Sequence, residues 1–306
     1  FLYFVNLAEG LVYLEREDFA TARGRFTAAA KVRRTPRLQG ALARAQWATG
    51  SYTAARKTAR EALKKEPEQS DARLVKTLSA IRARRSREAF SESKALLARQ
   101  EAEQSRSKER GAFAGRFTPV LLYLGRQATE RKDWPLAIRA YERVNMKRLQ
   151  RIYDAERKTA TGKRTNSLRE YNYHYGTALF HAERNSAAIV TLKRVDDSPA
   201  ARYLIARAYS RDGNSQSART YLKEAAENKP SYWLSALNES DFTGLMQRDS
   251  DFDFFVRNRG REPEPEPVKI ESAQEKESQE SGDSANSNSN SGTTKQPGTP
   301  SAAVNP

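Results

Sequence analysis

Apolar residues along this chain recur at helical rather than alternating spacing, and one small-residue marker keeps returning in phase. In residues 124–144, LGRQATERKDWPLAIRAYERV, Gly125 precedes Ala137 by twelve positions, Tyr141 follows four later and Val144 three after that. The same interval joins Gly10 to Ala22, Ala43 to Ala55, Gly176 to Ala188 and Ala206 to Ala218, with Thr77 and Ala89 as a poorer copy. Four residues past each alanine stand Phe26, Ala59, Ser93, Tyr141, Leu192 and Leu222; three further on come Ala29, Ala62, Leu96, Val144, Val195 and Ala225. Between the markers lies a polar break: EREDF, TGSY, RRSR, RKDW, AERN or RDGN. Offsets of four and seven fall on one helix face, so six copies in phase predict six helical hairpins.

Each hairpin reads as two antiparallel helices. A small residue on the first and an alanine on the second are expected to let the backbones approach, while the residues at i+4 and i+7 extend the apolar face. Asp133 suits a helix cap, and Pro135 is tolerated in a first turn. On these residues the chain resembles the tetratricopeptide repeat (TPR) family. YLGRQATERKDWPLAIRAYERV has that family's Leu-Gly, acidic-aromatic turn and Ala-Ile pattern. GLVYLEREDFATARGRFTAAA repeats it with Gly10, Tyr13, Phe19, Ala22 and Phe26, and Pro67 and Pro230 supply terminal prolines. The resemblance covers about residues 3–230. It implies an all-α, right-handed α-solenoid of about six antiparallel helix-turn-helix repeats with a C-terminal cap and a disordered tail.

The markers advance by 33, 34, 48, 51 and 30 residues, against the family's 34, and the third copy places Thr77 and Ser93 at core positions. The extra length lies at 99–116 and 147–168, each expected to be a lengthened helix followed by a glycine-containing loop, the alternative being that one insertion hides a degenerate helix pair. The expected organisation is an N-terminal block over 1–110, a C-terminal block with its cap over 116–257, and a tail over 262–306. In the cap, Trp233, Leu234, Leu237, Phe242, Leu245 and Phe252 are expected to cover the open end of the stack. The tail is rich in Glu, Ser, Asn, Pro and Gly, with too little apolar surface to offset its ordering entropy.

Charge divides the chain at the same place. Residues 262–306 hold 3 basic and 8 acidic side chains, whereas the preceding 261 hold 51 basic and 30 acidic, a net of +21. So cationic a body favours an anionic or acidic partner. The chain has no cysteine, which removes disulfides, thiolate metal sites and a Cys nucleophile. No apolar run reaches the length of a membrane span. The sequence opens at Phe1 without Met, so an upstream segment is expected. With the missing cysteines and the Ser/Asn/Pro tail, this points to an extracytoplasmic or membrane-associated protein rather than a cytoplasmic one.

Candidate chemistry is sparse. His174 and His181 are seven apart on one expected helix, with only Glu170 and Glu183 nearby, and read as packing or groove histidines rather than metal ligands. TATGKRTN lacks the first glycine and preceding strand of a phosphate loop. No catalytic residues, cofactor or metal are therefore expected, and the chain reads as a non-catalytic protein-protein interaction scaffold. What the TPR resemblance implies about a ligand groove falls on Arg44 and Trp47, Leu78, Leu122 and Arg126, Tyr173, Thr177 and Phe180, then Tyr203, Arg207 and Arg211. Arginines among aromatics suit a peptide or partner domain with acidic and apolar side chains. The alternative is nucleic acid or another polyanion held on the basic helical surface, chiefly 80–90 (AIRARRSREAF) and 147–164.

Overall fold

The computed structural model describes residues 1–107, 114–159 and 166–263. Residues 1–263 form one compact unit; from residue 264 on, the expected tail lies outside the described residues. Six antiparallel hairpins follow one another. They are α1 (Leu2–Glu15) with α2 (Phe19–Val32), α3 (Pro36–Ala48) with α4 (Tyr52–Lys65), and α5 (Ser70–Arg82) with α6 (Ser86–Ser107). Next come α7 (Thr118–Glu130) with α8 (Trp134–Glu142), then, after α9 (Met146–Thr159), α10 (Ser167–His181) with α11 (Asn185–Leu192), and α12 (Pro199–Arg211) with α13 (Ser215–Asn228). Three short helices, α14 (Ser231–Asn238), α15 (Ser240–Met246) and α16 (Ser250–Arg257), complete an all-α helical-repeat solenoid.

Local chemistry sets the helix starts. Side chains of Asp18, Thr35, Gln69, Asp133, Asn166, Asn214 and Asp249 each accept a hydrogen bond from a backbone N–H three residues on. The turns inside the hairpins share one backbone device. Glu17, Gly50, Arg84, Lys132, Glu183 and Gly213 all adopt positive φ, between 53° and 79°. Each stands five residues before its marker alanine, so the left-handed residue keeps the same uneven register as the core.

The packing also corrects the expected role of the small residues. A Cβ on Gly10 would lie 2.5 Å from the Phe26 ring, one on Gly125 2.5 Å from Tyr141, and one on Gly176 2.6 Å from Leu192. Glycine therefore makes room for the large side chain sixteen residues on, rather than for the alanine opposite. Ala22, Ala55, Ala137, Ala188, Ala206 and Ala218 are fully buried, as the marker pattern requires. In the third hairpin Thr77 and Ser93 are buried too, and each hydroxyl donates to the carbonyl four residues back in its own helix (2.9 and 2.7 Å), which satisfies it in place.

The first insertion is a lengthened helix, α6. The second is not: α8 stops at Glu142, and Asn145 Oδ1 accepts from the Arg148 N–H (3.0 Å) to start the separate helix α9. An asparagine cap thus outweighs the helical propensity of the residues around it. One core cluster joins Leu74, Leu96 and Leu97 to Phe117, Leu121 and onward to Ala208, so the apolar interior runs on across the first insertion. At the far end Phe242, Leu245 and Phe252 are buried as a cap demands, with Trp233 and Leu237 packed at its margin. Leu234, expected in that cap, is instead 67% exposed.

Candidate ligand-binding site

The first helices α3, α5, α7, α10 and α12 carry the expected groove residues, and three regions of that face differ in what occupies them. Arg44 on α3 is mostly buried, with its guanidinium 3.5 Å from Glu15 and 3.8 Å from Asp71. Arg116, from a short 3-10 turn before α7, approaches the same Asp71 at 3.2 Å. Burial pushes the Arg44 pKa down, against the attraction of Asp71. Just beyond, Arg148 and Arg151 of α9 both pair with Glu17 in the first hairpin's turn, the latter at 2.8 Å. Trp47 packs edge-on against Tyr52, with ring centroids 4.8 Å apart. This end of the face is closed by the chain itself.

The C-terminal end is closed in another way. Arg207 and Arg211 hold the Asp241 carboxylate of α15 at 2.7 and 2.6 Å, and Asp241 is only 8% exposed. Both guanidiniums lie over the Phe180 ring, at 4.9 and 3.9 Å from its centroid. Phe180 is fully buried, and Tyr203 is buried and stacked on Tyr232 at 4.2 Å. Phe180, Tyr203, Arg207 and Arg211 therefore seat the cap instead of lining an open groove. Sequence pattern alone misses this because Asp241 lies thirty or more residues away, in a segment without repeat register.

Between these ends an open cleft of 420 Å³ remains. Leu122 and Arg126 of α7 line it with Tyr123, facing Glu170 and His174 of α10 and Ile152 of α9. Arg126 is 43% exposed, and its contacts to Glu130 (3.7 Å) and Glu170 (3.9 Å) are loose. Burial is the main cause lowering the His174 pKa, so neutral imidazole is favoured there. Tyr171, on the cleft wall, is pushed up to about 12 by burial and stays a neutral donor. Leu78 and Tyr173 are half-buried against the core, and Thr177 donates to its own helix at the Tyr173 carbonyl (2.8 Å). His181 lies outside the cleft, stacked on Trp134 at 4.2 Å. The cleft thus offers an apolar wall, a forked cation and several hydrogen-bonding groups, the mixture that orients a ligand while burying part of it. The expectation lacked Ile152, because α9 stands outside the repeat register and gave no positional signal, and it took Tyr173, Thr177 and Phe180 rather than Glu170 as the groove side of α10.

A fold of this kind, with side chains presented from a row of first helices, defines a helical-repeat binding scaffold. A tetratricopeptide-repeat family model matches residues 7–72 and 40–105, and a second matches residues 199–232. The chain therefore carries tetratricopeptide repeats over these residues. The hairpins of α7/α8 and α10/α11 lie outside those matches, where the markers stand 48 and 51 residues apart. The crystal structure at 2.39 Å resolution of a tetratricopeptide repeat protein from Parabacteroides merdae ATCC 43184 is similar over 76% of this chain and 96% of that one, at 12% identity and a TM-score of 0.35. No curated protein matches the chain.

Proposed function

We propose that this protein is a non-catalytic interaction scaffold that takes an extended peptide segment into the cleft between α7, α9 and α10. The observation that carries this reading is Arg126: among the expected groove arginines it alone is half-exposed and only loosely paired, and it stands beside the apolar Leu122 and Ile152. An acidic residue of the peptide would take the guanidinium from Glu130 and Glu170, and a neighbouring apolar side chain would cover Leu122 and Tyr123. Charge complementarity would then set orientation, and buried aromatic and aliphatic area would supply most of the affinity. Among the described residues no helix is long and apolar enough to cross a membrane.

Peptides selected from a random displayed library against the intact chain test the cleft. Their affinity should fall about tenfold or more in a Leu122→Ala/Arg126→Ala variant, the scale of losing one anchoring contact. Circular dichroism should show the variant folded, with a modest loss of melting temperature because Leu122 also packs against the core. Selected peptides that bind the variant as well as the parent would overturn the reading.

A further inference from the structure

A second recess lies apart from that cleft, between α4, α5 and the start of α6. Arg56, Arg60 and Lys64 stand at i, i+4 and i+8 on α4 and line a cleft of 330 Å³ whose floor includes Ala59 and Leu63. Across from them are Lys76 of α5, together with Arg85 and Glu88 at the start of α6. Five cations thus converge on one small recess beside one carboxylate. Lys76 has a partner in Glu92 (2.6 Å) and Arg85 has one in Glu88 (2.7 Å). Arg56, Arg60 and Lys64 meet no carboxylate within ion-pair distance among the described residues, although most arginines of the inner face do.

We propose that this recess binds a compact anion carrying two or more phosphate groups. The spacing is one reason. Four residues of helix rise about 6 Å, so three cations on one face offer successive charges about 6 Å apart over about 12 Å. That suits several phosphates on one small scaffold and exceeds what a single carboxylate can span. The donor count is another. Two guanidinium forks and an ammonium present far more N–H groups than two carboxylate oxygens can accept, whereas each phosphate brings three strong acceptors. Glu88 already sits in the recess, held by Arg85, and acts as an internal competitor that a bound phosphate displaces. The recess is of small-molecule size, and it is independent of the peptide cleft.

Isothermal titration of the full-length chain with inositol hexakisphosphate, at low and moderate salt, tests this. Saturable one-to-one binding is expected. Arg56→Ala/Arg60→Ala should weaken it about tenfold or more, since both forks are lost. Glu88→Gln should tighten it severalfold by removing the competing carboxylate. Arg33→Ala/Arg34→Ala, which removes two exposed cations elsewhere, should leave it unchanged. Circular dichroism and melting curves confirm that each variant is folded. Vesicles bearing a phosphoinositide bisphosphate separate the two sources of the same chemistry. Vesicle binding that soluble inositol hexakisphosphate competes away identifies a lipid headgroup, and binding of the soluble compound alone identifies a free polyphosphate. The proposal is overturned by absence of saturable binding, by equal losses in the Arg33/Arg34 control, or by a response to single-stranded oligothymidylate alone.

Discussion

At the scale of single residues, the recurring small positions are best understood as receptors for a particular side chain. Gly125 faces Tyr141, which is itself 2% exposed and held between Tyr171 and Tyr175 at centroid distances of 5.4 and 5.7 Å. The ring must shift against these neighbours to admit an added methyl group. Gly125→Ala is therefore expected to destabilise the protein by about 1–3 kcal/mol, the cost of overpacking a filled core. Gly24 supplies the contrast: it sits on α2 with nothing within 4 Å of an added Cβ. Gly24→Ala should stabilise by about 0.5–1 kcal/mol through the lower backbone entropy of the unfolded chain. Urea unfolding of the pair checks both signs. If Gly125→Ala is neutral, the glycine-to-ring packing is not what fixes the hairpin.

At the scale of elements, the repeat helices were legible in the sequence because each carries the same offsets of twelve, four and three. The elements outside that register were not. The cap's apolar residues gave it away, but its polar role did not show: Asp241 reads as an ordinary acidic residue until α15 places it between Arg207 and Arg211. Likewise Arg44 satisfies every groove criterion along the chain, and only the approach of Asp71, Arg116 and α9 shows that its place is taken. Half of the candidate site was thus readable, Leu122 and Arg126, because it belongs to α7; of the facing half, α9 has no repeat register, and α10, though in register, brings Glu170 and His174 rather than the expected Tyr173, Thr177 and Phe180 to the cleft. The cap's dependence on Asp241 is measurable. Asp241→Ala leaves two partly buried guanidiniums without their shared carboxylate and should cost about 3 kcal/mol. Removing the arginines as well, in Arg207→Ala/Arg211→Ala/Asp241→Ala, should recover part of that loss, since only the more exposed Glu239, which pairs with Arg207 at 2.9 Å, then loses a partner. Additive losses in this cycle would show that the cap is held by its apolar contacts alone.

At the scale of the molecule, stability is set by unequal cores along a quasi-one-dimensional stack. The cluster beneath α3, α4 and α5 consists of Ala43, Ala55, Ala59, Ala62, Ala72 and Val75, whereas the central cluster contains Phe117, Tyr141, Phe180 and many leucines. Alanine buries little apolar area, so the second hairpin gains least from its own interior. In a repeat array each unit is stabilised mainly by itself and its neighbours, and a weak unit opens sub-globally before the rest. Amides of α3 and α4 should accordingly exchange with deuterium faster than those of α7, α10 and α12. The proposed phosphate recess draws Arg56, Arg60 and Lys64 from that weak hairpin and Lys76 and Arg85 from the next, so an occupant would tie the two together. Ligand present at a hundred times its dissociation constant stabilises the bound form by about 2.7 kcal/mol. Saturating inositol hexakisphosphate should therefore slow exchange in α4 and α5 about a hundredfold wherever exchange proceeds by opening of the recess, and leave α12 unchanged. Equal protection along the whole stack would contradict the unequal-core argument. Slowing in α12 as large as in α4 would place the anion's effect somewhere other than the recess.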